Sequence, residues 1–155
     1  MQIKTILFPT DFSYGAHAAM DFAVSLAKNY NSQLILLHVI QNIVIADWDA
    51  SSSFQVADMM KDIHKSAMRE MDRWCAEVSS KINDMKKMIV AGVPFVEIIK
   101  AARNQNADMI VIGTHGRMGV SHVLLGSTAE KVARKASCPV LTVRIPSVDL
   151  NLKPA

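Results

Sequence analysis

Short, nearly continuous apolar runs alternate along this chain with longer stretches in which apolar residues recur every three or four positions. The first run, Ile3 to Phe8, is followed by Pro9, which would stop a buried strand there. Ser13 then offers an N-cap. Phe22, Ala23, Leu26, Ala27 and Tyr30 follow at helical spacing, which predicts an amphipathic helix ending near Asn31. Gln33 to Val39 (QLILLHV) reads as a second strand, apolar on both faces, as in a parallel sheet covered by helices on each side. After an irregular stretch over 40–53, a long helix is predicted over 54–81, with Met60, Ile63, Ala67, Met71, Trp74 and Val78 on one stripe. A strand near 86–91 ends at Gly92, and a helix near 94–104 turns Val96, Ile99 and Ala102 inward. Asp108 to Gly113 (DMIVIG) is the fourth strand; a helix from Ser127 to about Ala136 leads into the last, Val140 to Arg144.

The order is strand, helix, strand throughout, without internal repeat. Parallel strands need crossover helices, and those crossovers are right-handed. The fold class is therefore α/β: a three-layer, doubly wound sandwich whose ligand site should lie beyond the carboxyl ends of the strands. At 155 residues the chain makes one domain, taken as residues 1–146 with a tail over 147–155.

Charge narrows the partners. There are 17 basic and 14 acidic side chains, for a formal net charge of +3, and the lysines and arginines are scattered rather than clustered. That argues against a nucleic-acid binder and suits a small anion. The apolar runs are too short to cross a bilayer, so no membrane partner is expected. The two cysteines, Cys75 and Cys138, form no CxxC pair, and no secretory segment opens the chain; reduced thiols and a cytoplasmic location follow as expectations.

The chemistry gathers after the fourth strand, in Gly113-Thr-His-Gly116-Arg117-Met-Gly119 and, further on, Gly126-Ser127-Thr128. Glycines allow close backbone approach, so their N–H groups can converge on phosphate oxygens. A helix start adds unsatisfied N–H groups and the positive end of a dipole. Neither GxxxxGK[ST] nor GxGxxG is present. A second reading needs no ligand: Ser127-x-x-Glu130 is a capping box, in which the serine side chain starts the helix. The two readings are compatible.

The spacing G-x2-G-x9-G-[ST], here Gly113, Gly116, Gly126 and Ser127, resembles the ATP-binding motif of the universal stress protein family. Ile6-Leu-Phe-Pro9-Thr10-Asp11-Phe12-Ser13 looks like that family's first strand and acidic turn. Asp108 to Arg117 and Ser137 to Arg144 look like its fourth and fifth strands. The resemblance covers almost the whole chain. It implies five parallel strands in the order 3-2-1-4-5, with ATP in the crevice between the first and fourth. Asp11 would then meet the ribose, Pro9 and Thr10 would shape the wall beside it, and Val39 would meet adenine through its backbone. Gly113, Gly116, Gly126, Ser127 and Thr128 would hold the phosphates, with Arg117 at the rim and Mg²⁺ or Mn²⁺ carried mainly by the phosphates. The resemblance also implies a homodimer formed through Val140–Arg144. The apolar, bulge-free character of that segment points the same way.

Other candidates weaken on inspection. Asp11, before a helix, is also what a local Asx-type cap looks like. His17, His38, His64, His115 and His122 show no HxxxH or HExxH spacing, so no protein metal site is expected. No GxSxG elbow or paired base supports nucleophilic catalysis, and no catalytic residue is assigned. The 40–53 stretch, with Ile43, Val44, Ile45 and Trp48, reads either as a flap on the core or as a lid over adenine. The function expected is a nucleotide-responsive regulatory module in stress response, with at most slow ATP hydrolysis. A slow ATPase or nucleotidyl or phosphoryl transferase, and a partner-binding module with no bound nucleotide, are the alternatives.

Overall fold

A computed structural model describes residues 2–41, 53–114 and 125–144, with 53–56 as backbone only. The strands are β1 (Thr5–Thr10), β2 (Gln33–Gln41), β3 (Met85–Gly92), β4 (Met109–Gly113) and β5 (Val140–Val143). The helices are α1 (Tyr14–Tyr30), α2 (Ser53–Ser79), α3 (Pro94–Asn104) and α4 (Ser127–Lys135). All strand pairs are parallel, in the order β3-β2-β1-β4-β5. The fold class and the strand order both stand as expected.

Side-chain alternation along the strands splits the core in two. Ile6, Phe8, Leu34, Leu36 and Val111 face one side, against α1 and α2; Leu7, Ile35, Leu37, Ile110 and Ile112 face the other, against α3 and α4. The central strands are buried on both faces, hence their unbroken apolar runs.

The element boundaries hold to within a few residues, though Pro9 lies inside β1 rather than stopping it; the predicted inner stripes are right at Ala23 and Ala27 of α1 and Ala102 of α3 but wrong at their larger members. On α1 the buried residues are Ala16, Ala19, Met20, Ala23, Val24 and Ala27, while Phe22 and Tyr30 are exposed. The four alanines let the helix lie close on the sheet, so the large rings that suggested the inner stripe turn outward. On α3 the inner residues are Ile98, Ala101 and Ala102, and Val96 and Ile99 are only half-buried. On α2 the stripe is buried from Ala67 through Met71, Trp74 and Val78, whereas Met60 and Ile63 are half-buried. Cys75 is buried on that stripe, where loss of solvation pushes its thiol pKa up. Cys138 is half-buried, less enclosed than a core residue.

Helix ends follow local chemistry. Ser13 caps α1, its Oγ accepting from Ala16 N–H at 3.2 Å. Asn31 closes α1 in the left-handed region at φ 53. The capping box predicted at Ser127 does not form: Gly126 is the N-cap, without a side-chain hydrogen bond, and Ser127 is the first helical residue. Glu130 instead pairs with Arg134 at 3.1 Å, one turn on.

One carboxylate ties the central strand pair together at its start. Asp108, just before β4, accepts from the backbone N–H of Lys4 at 2.7 Å and of Thr5 at 3.0 Å. These bonds, Lys4's first, hold its carboxyl below the usual carboxylate range. A group depressed in the folded state stabilises above its unfolded pKa, and that stabilisation is lost as pH falls through the folded value. Asp108→Asn should therefore lower the melting temperature at pH 7. The gap from the wild type should narrow as pH drops below about 4, where the unfolded carboxylate also takes up its proton. Melting curves between pH 7 and pH 3 check this; a gap that stays constant with pH would show that the charge is not what matters.

Candidate functional site

In this sheet order the chain leaves β1 and β4, two neighbouring strands, toward opposite faces. α1 packs on the side of Phe8 and Val111, α4 on the side of Leu7 and Ile112. A crevice opens between their starts at such a switch point. The register Leu7↔Ile110, carried three residues on, sets Thr10 level with Gly113. Thr10 also pairs with His38 on β2, so Val39 follows on the adjoining strand end.

The β1–α1 turn is closely determined. Pro9 and Thr10 are buried at the end of β1. Thr10 Oγ1 accepts from Phe12 N–H at 3.0 Å, and Asp11 Oδ1 accepts from Ser13 N–H at 3.0 Å. The Asx-type turn expected at Asp11 is thus present, and it orients the half-buried carboxylate rather than hiding it.

Two glycines sit where neighbouring backbone crowds a side chain, tightly at Gly113 and beyond tolerance at Gly126. A Cβ on Gly113 would lie 3.1 Å from the carbonyl oxygen of Gly15, in the first turn of α1. A Cβ on Gly126 would lie 2.8 Å from the Thr114 carbonyl oxygen, which already accepts from Gly126 N–H at 2.7 Å. Gly126 therefore lets the start of α4 dock directly on the end of β4. Glu130 N–H makes the first intrahelical bond, to Gly126 O, so the N–H groups of Ser127, Thr128 and Ala129 stand ahead of the helical ladder. Ser127 is exposed and Thr128 half-buried. α1 has no acidic residue in its first turn, and Glu130 of α4 is paired with Arg134, so both helix starts keep their positive character toward the crevice.

The structure thus brings Pro9, Thr10, Asp11, Val39, Gly113, Gly126, Ser127 and Thr128 to the carboxyl edge of the sheet. Gly116, Arg117, His115 and His122 lie outside the described residues, as does 42–52, which holds most of the predicted lid. Among the described residues no group of three or more His, Cys, Asp or Glu side chains could hold a metal, and no helix is long and apolar enough to cross a membrane. The donors that remain at the edge are backbone N–H groups and hydroxyls, which fit phosphate oxygens, beside a single oriented carboxylate, which fits a sugar hydroxyl.

Sequence reasoning passed over two residues. His38, weighed only as a metal ligand, is buried with Nδ1 2.8 Å from the Thr10 carbonyl oxygen. Phe12 stacks on its ring at a centroid distance of 4.3 Å. A histidine inside an otherwise aliphatic strand, and a phenylalanine inside a polar turn, were the visible signals.

Comparison with known proteins agrees with this architecture. The sequence model of the universal stress protein family matches residues 2–144. Universal stress protein MJ0577 of Methanocaldococcus jannaschii is 33% identical over 153 residues, covering 91% of this chain and 94% of that protein; its solved structure superposes with a TM-score of 0.75. Universal stress protein UspA from Lactobacillus plantarum superposes with a TM-score of 0.84 at 25% identity, over 93% of this chain and 99% of that one. A universal stress protein solved in complex with cAMP shares the fold, with a TM-score of 0.71 at 23% identity over 92% of this chain and 98% of its own. With a family match across nearly its whole length and a relative this similar over nine-tenths of it, the chain belongs to the universal stress protein family.

Proposed function

We propose that this protein binds ATP in the crevice between β1 and β4 and works as a nucleotide-responsive regulatory module of stress response in the cytoplasm. The observation that carries the reading is the docking of α4 on β4 through Gly126. It sets a row of N–H groups and two hydroxyls beside Gly113, across from the oriented carboxylate of Asp11. Phosphates would lie against Gly113, Gly126, Ser127 and Thr128, with Gly116 and Arg117 completing the loop. Ribose would lie on Asp11 beside Pro9 and Thr10, and adenine along the backbone of Val39. A divalent cation, Mg²⁺ or Mn²⁺, would be carried by the phosphates. These groups offer binding chemistry. Efficient phosphoryl transfer would also ask for a cationic clamp, carboxylates for the metal and a placed base.

Two measurements test this. Small molecules released on denaturing the purified protein should include adenine nucleotide by mass spectrometry, and calorimetry should show ATP binding to the stripped protein. Asp11→Ala should cost about 1.5–3 kcal/mol of ATP affinity, the scale of a charge-assisted hydrogen bond. It should also discriminate less between ATP and 2′,3′-dideoxy-ATP. Equal losses for both nucleotides would reduce Asp11 to a turn former, and a stripped protein that takes up no ATP would sink the reading.

We also propose a homodimer through β5. This strand is the sheet edge and ends the order, with Leu141 exposed. Pro139 O accepts from Ile110 N–H and Val143 O from Thr114 N–H, so those residues turn their backbone toward β4. Strand alternation then points the N–H and C=O groups of Val140 and Thr142 outward, free for an antiparallel twofold partner. Thr142→Pro removes an outward donor while sparing the β4 ladder, and should shift the protein toward monomer in light scattering at micromolar concentration. A wild-type monomer would refute the dimer; a dimer indifferent to this proline would place its interface elsewhere.

A further inference from the structure

Phe12 occupies an unusual backbone state. Its φ is 63°, in the left-handed region that a bulky residue rarely adopts and that persists only where the surroundings determine it. The surroundings here are aromatic. The Phe12 ring stacks on His38 at 4.3 Å and 27°, and meets the edge of Trp74 at 5.7 Å and 69°. Trp74, on α2, in turn stacks on Phe8 of β1 at 6.2 Å and touches His17 of α1 at 5.4 Å. The turn between β1 and α1 is therefore held by two residues of different elements, His38 of β2 and Trp74 of α2, and Trp74 is itself packed on β1 and α1.

His38 is the piece that joins ring packing to backbone. A carbonyl oxygen can only accept, so Nδ1 carries the hydrogen and donates it to Thr10 O. The same side chain thus grips the last carbonyl of β1 and forms the platform for Phe12, two residues further on. Between those two anchors stands Asp11. Thr10 Oγ1 to Phe12 N–H and Asp11 Oδ1 to Ser13 N–H complete the closure. The Asp11 backbone thus stands between the Thr10–His38 bond and the Phe12 stack, which together restrain it.

We propose that His38 and Phe12 are positioning residues of the nucleotide site: they hold the Thr10–Ser13 turn so that the Asp11 carboxylate is oriented for the ribose hydroxyls before ligand arrives. The inference rests on the nucleotide-binding reading given above. Preorganisation of this kind adds affinity by removing an ordering cost at the moment of binding. It acts on the hydroxyl contact alone, leaving the contacts to phosphate and base as they are.

The experiment measures ATP and 2′,3′-dideoxy-ATP affinity by calorimetry on the stripped protein. His38→Leu removes both donor and ring, and His38→Asn restores a donor in the place of Nδ1 without the ring. His38→Leu should weaken ATP about tenfold, the worth of one hydrogen bond, while leaving dideoxy-ATP within about twofold of wild type. His38→Asn should recover part of the lost preference for ATP. Phe12→Gly gives an independent arm, since glycine accepts φ 63 without strain and the ring is only half-buried; it too should collapse the ratio of the two affinities while the protein stays folded. Wild-type ratios in Phe12→Gly and in a folded His38→Leu would overturn the proposal. So would equal losses for both nucleotides, which is what a purely structural role produces. A wild-type protein that binds neither nucleotide overturns the nucleotide reading itself and this inference with it. One that binds ATP normally while the variants keep its discrimination overturns this inference alone.

Discussion

Where β4 ends, the main chain passes between the first turn of α1 and the start of α4, and a side chain would be crowded at Gly113 and would clash at Gly126. At Gly113 the limit is the Gly15 carbonyl of α1; at Gly126 it is the Thr114 carbonyl of the chain's own strand end. Both contacts are backbone against backbone, which cannot yield as a flexible side chain does. This close approach lets α4 begin directly on the sheet edge, with its leading N–H groups ahead of the helical ladder. Everything proposed for the phosphate end of the site depends on it. The same close fit recurs on α1, whose inner face is lined by Ala16, Ala19, Ala23 and Ala27 and so lies low over β1 and β4.

The other half of the crevice is organised by packing. β1 delivers Thr10, but the direction the chain takes afterwards is decided by Phe12, which turns down onto His38 and Trp74. The long helix α2 therefore reaches the site indirectly: Trp74 is a core residue by burial and a support of the β1–α1 turn by contact. Its neighbourhood is also braced by charge. Lys81 and His17 both bond Glu77, with Lys81 the stronger influence, and hold that carboxyl below its usual range, tying α2 to α1 beside the turn. These groups are largely solvated, so the pairs align the helices more than they stabilise them.

Much of this was legible in the sequence, for reasons that can be named. Strands buried on both faces leave continuous apolar runs, so QLILLHV and DMIVIG declared themselves as central strands of a parallel sheet. The strand order was not readable from periodicity and came only with the family resemblance. The inner faces of α1 and α3 are only partly legible: Ala23, Ala27 and Ala102 lie inside as their spacing predicts, whereas Ile98 rather than Ile99 is buried on α3. A helix pressed close to a sheet buries its small residues, and on α1 Phe22 and Tyr30 were left outside. The Ser127 capping box failed for a related reason: its pattern was satisfied, but Gly126 already started the helix by docking on Thr114, which left the serine one place too far along.

What the sequence could least reveal is the part of the site made by pairs of residues far apart in the chain. Glycine spacing and the Thr-Asp turn are local signals, readable within a dozen residues. The His38–Thr10 bond joins residues 28 apart, and Trp74 reaches Phe12 across a whole helix, a strand and most of a second helix. Each looks ordinary in its own segment: a histidine in a strand, an aromatic on a helical stripe. They acquire a shared role only once parallel pairing sets Thr10 opposite His38 and α2 lies over that pair. Local motifs of this kind can therefore announce which ligand chemistry a crevice suits. How firmly the carboxylate in that crevice is aimed depends on the tertiary contacts beneath it, and here those contacts are aromatic and come from β2 and α2.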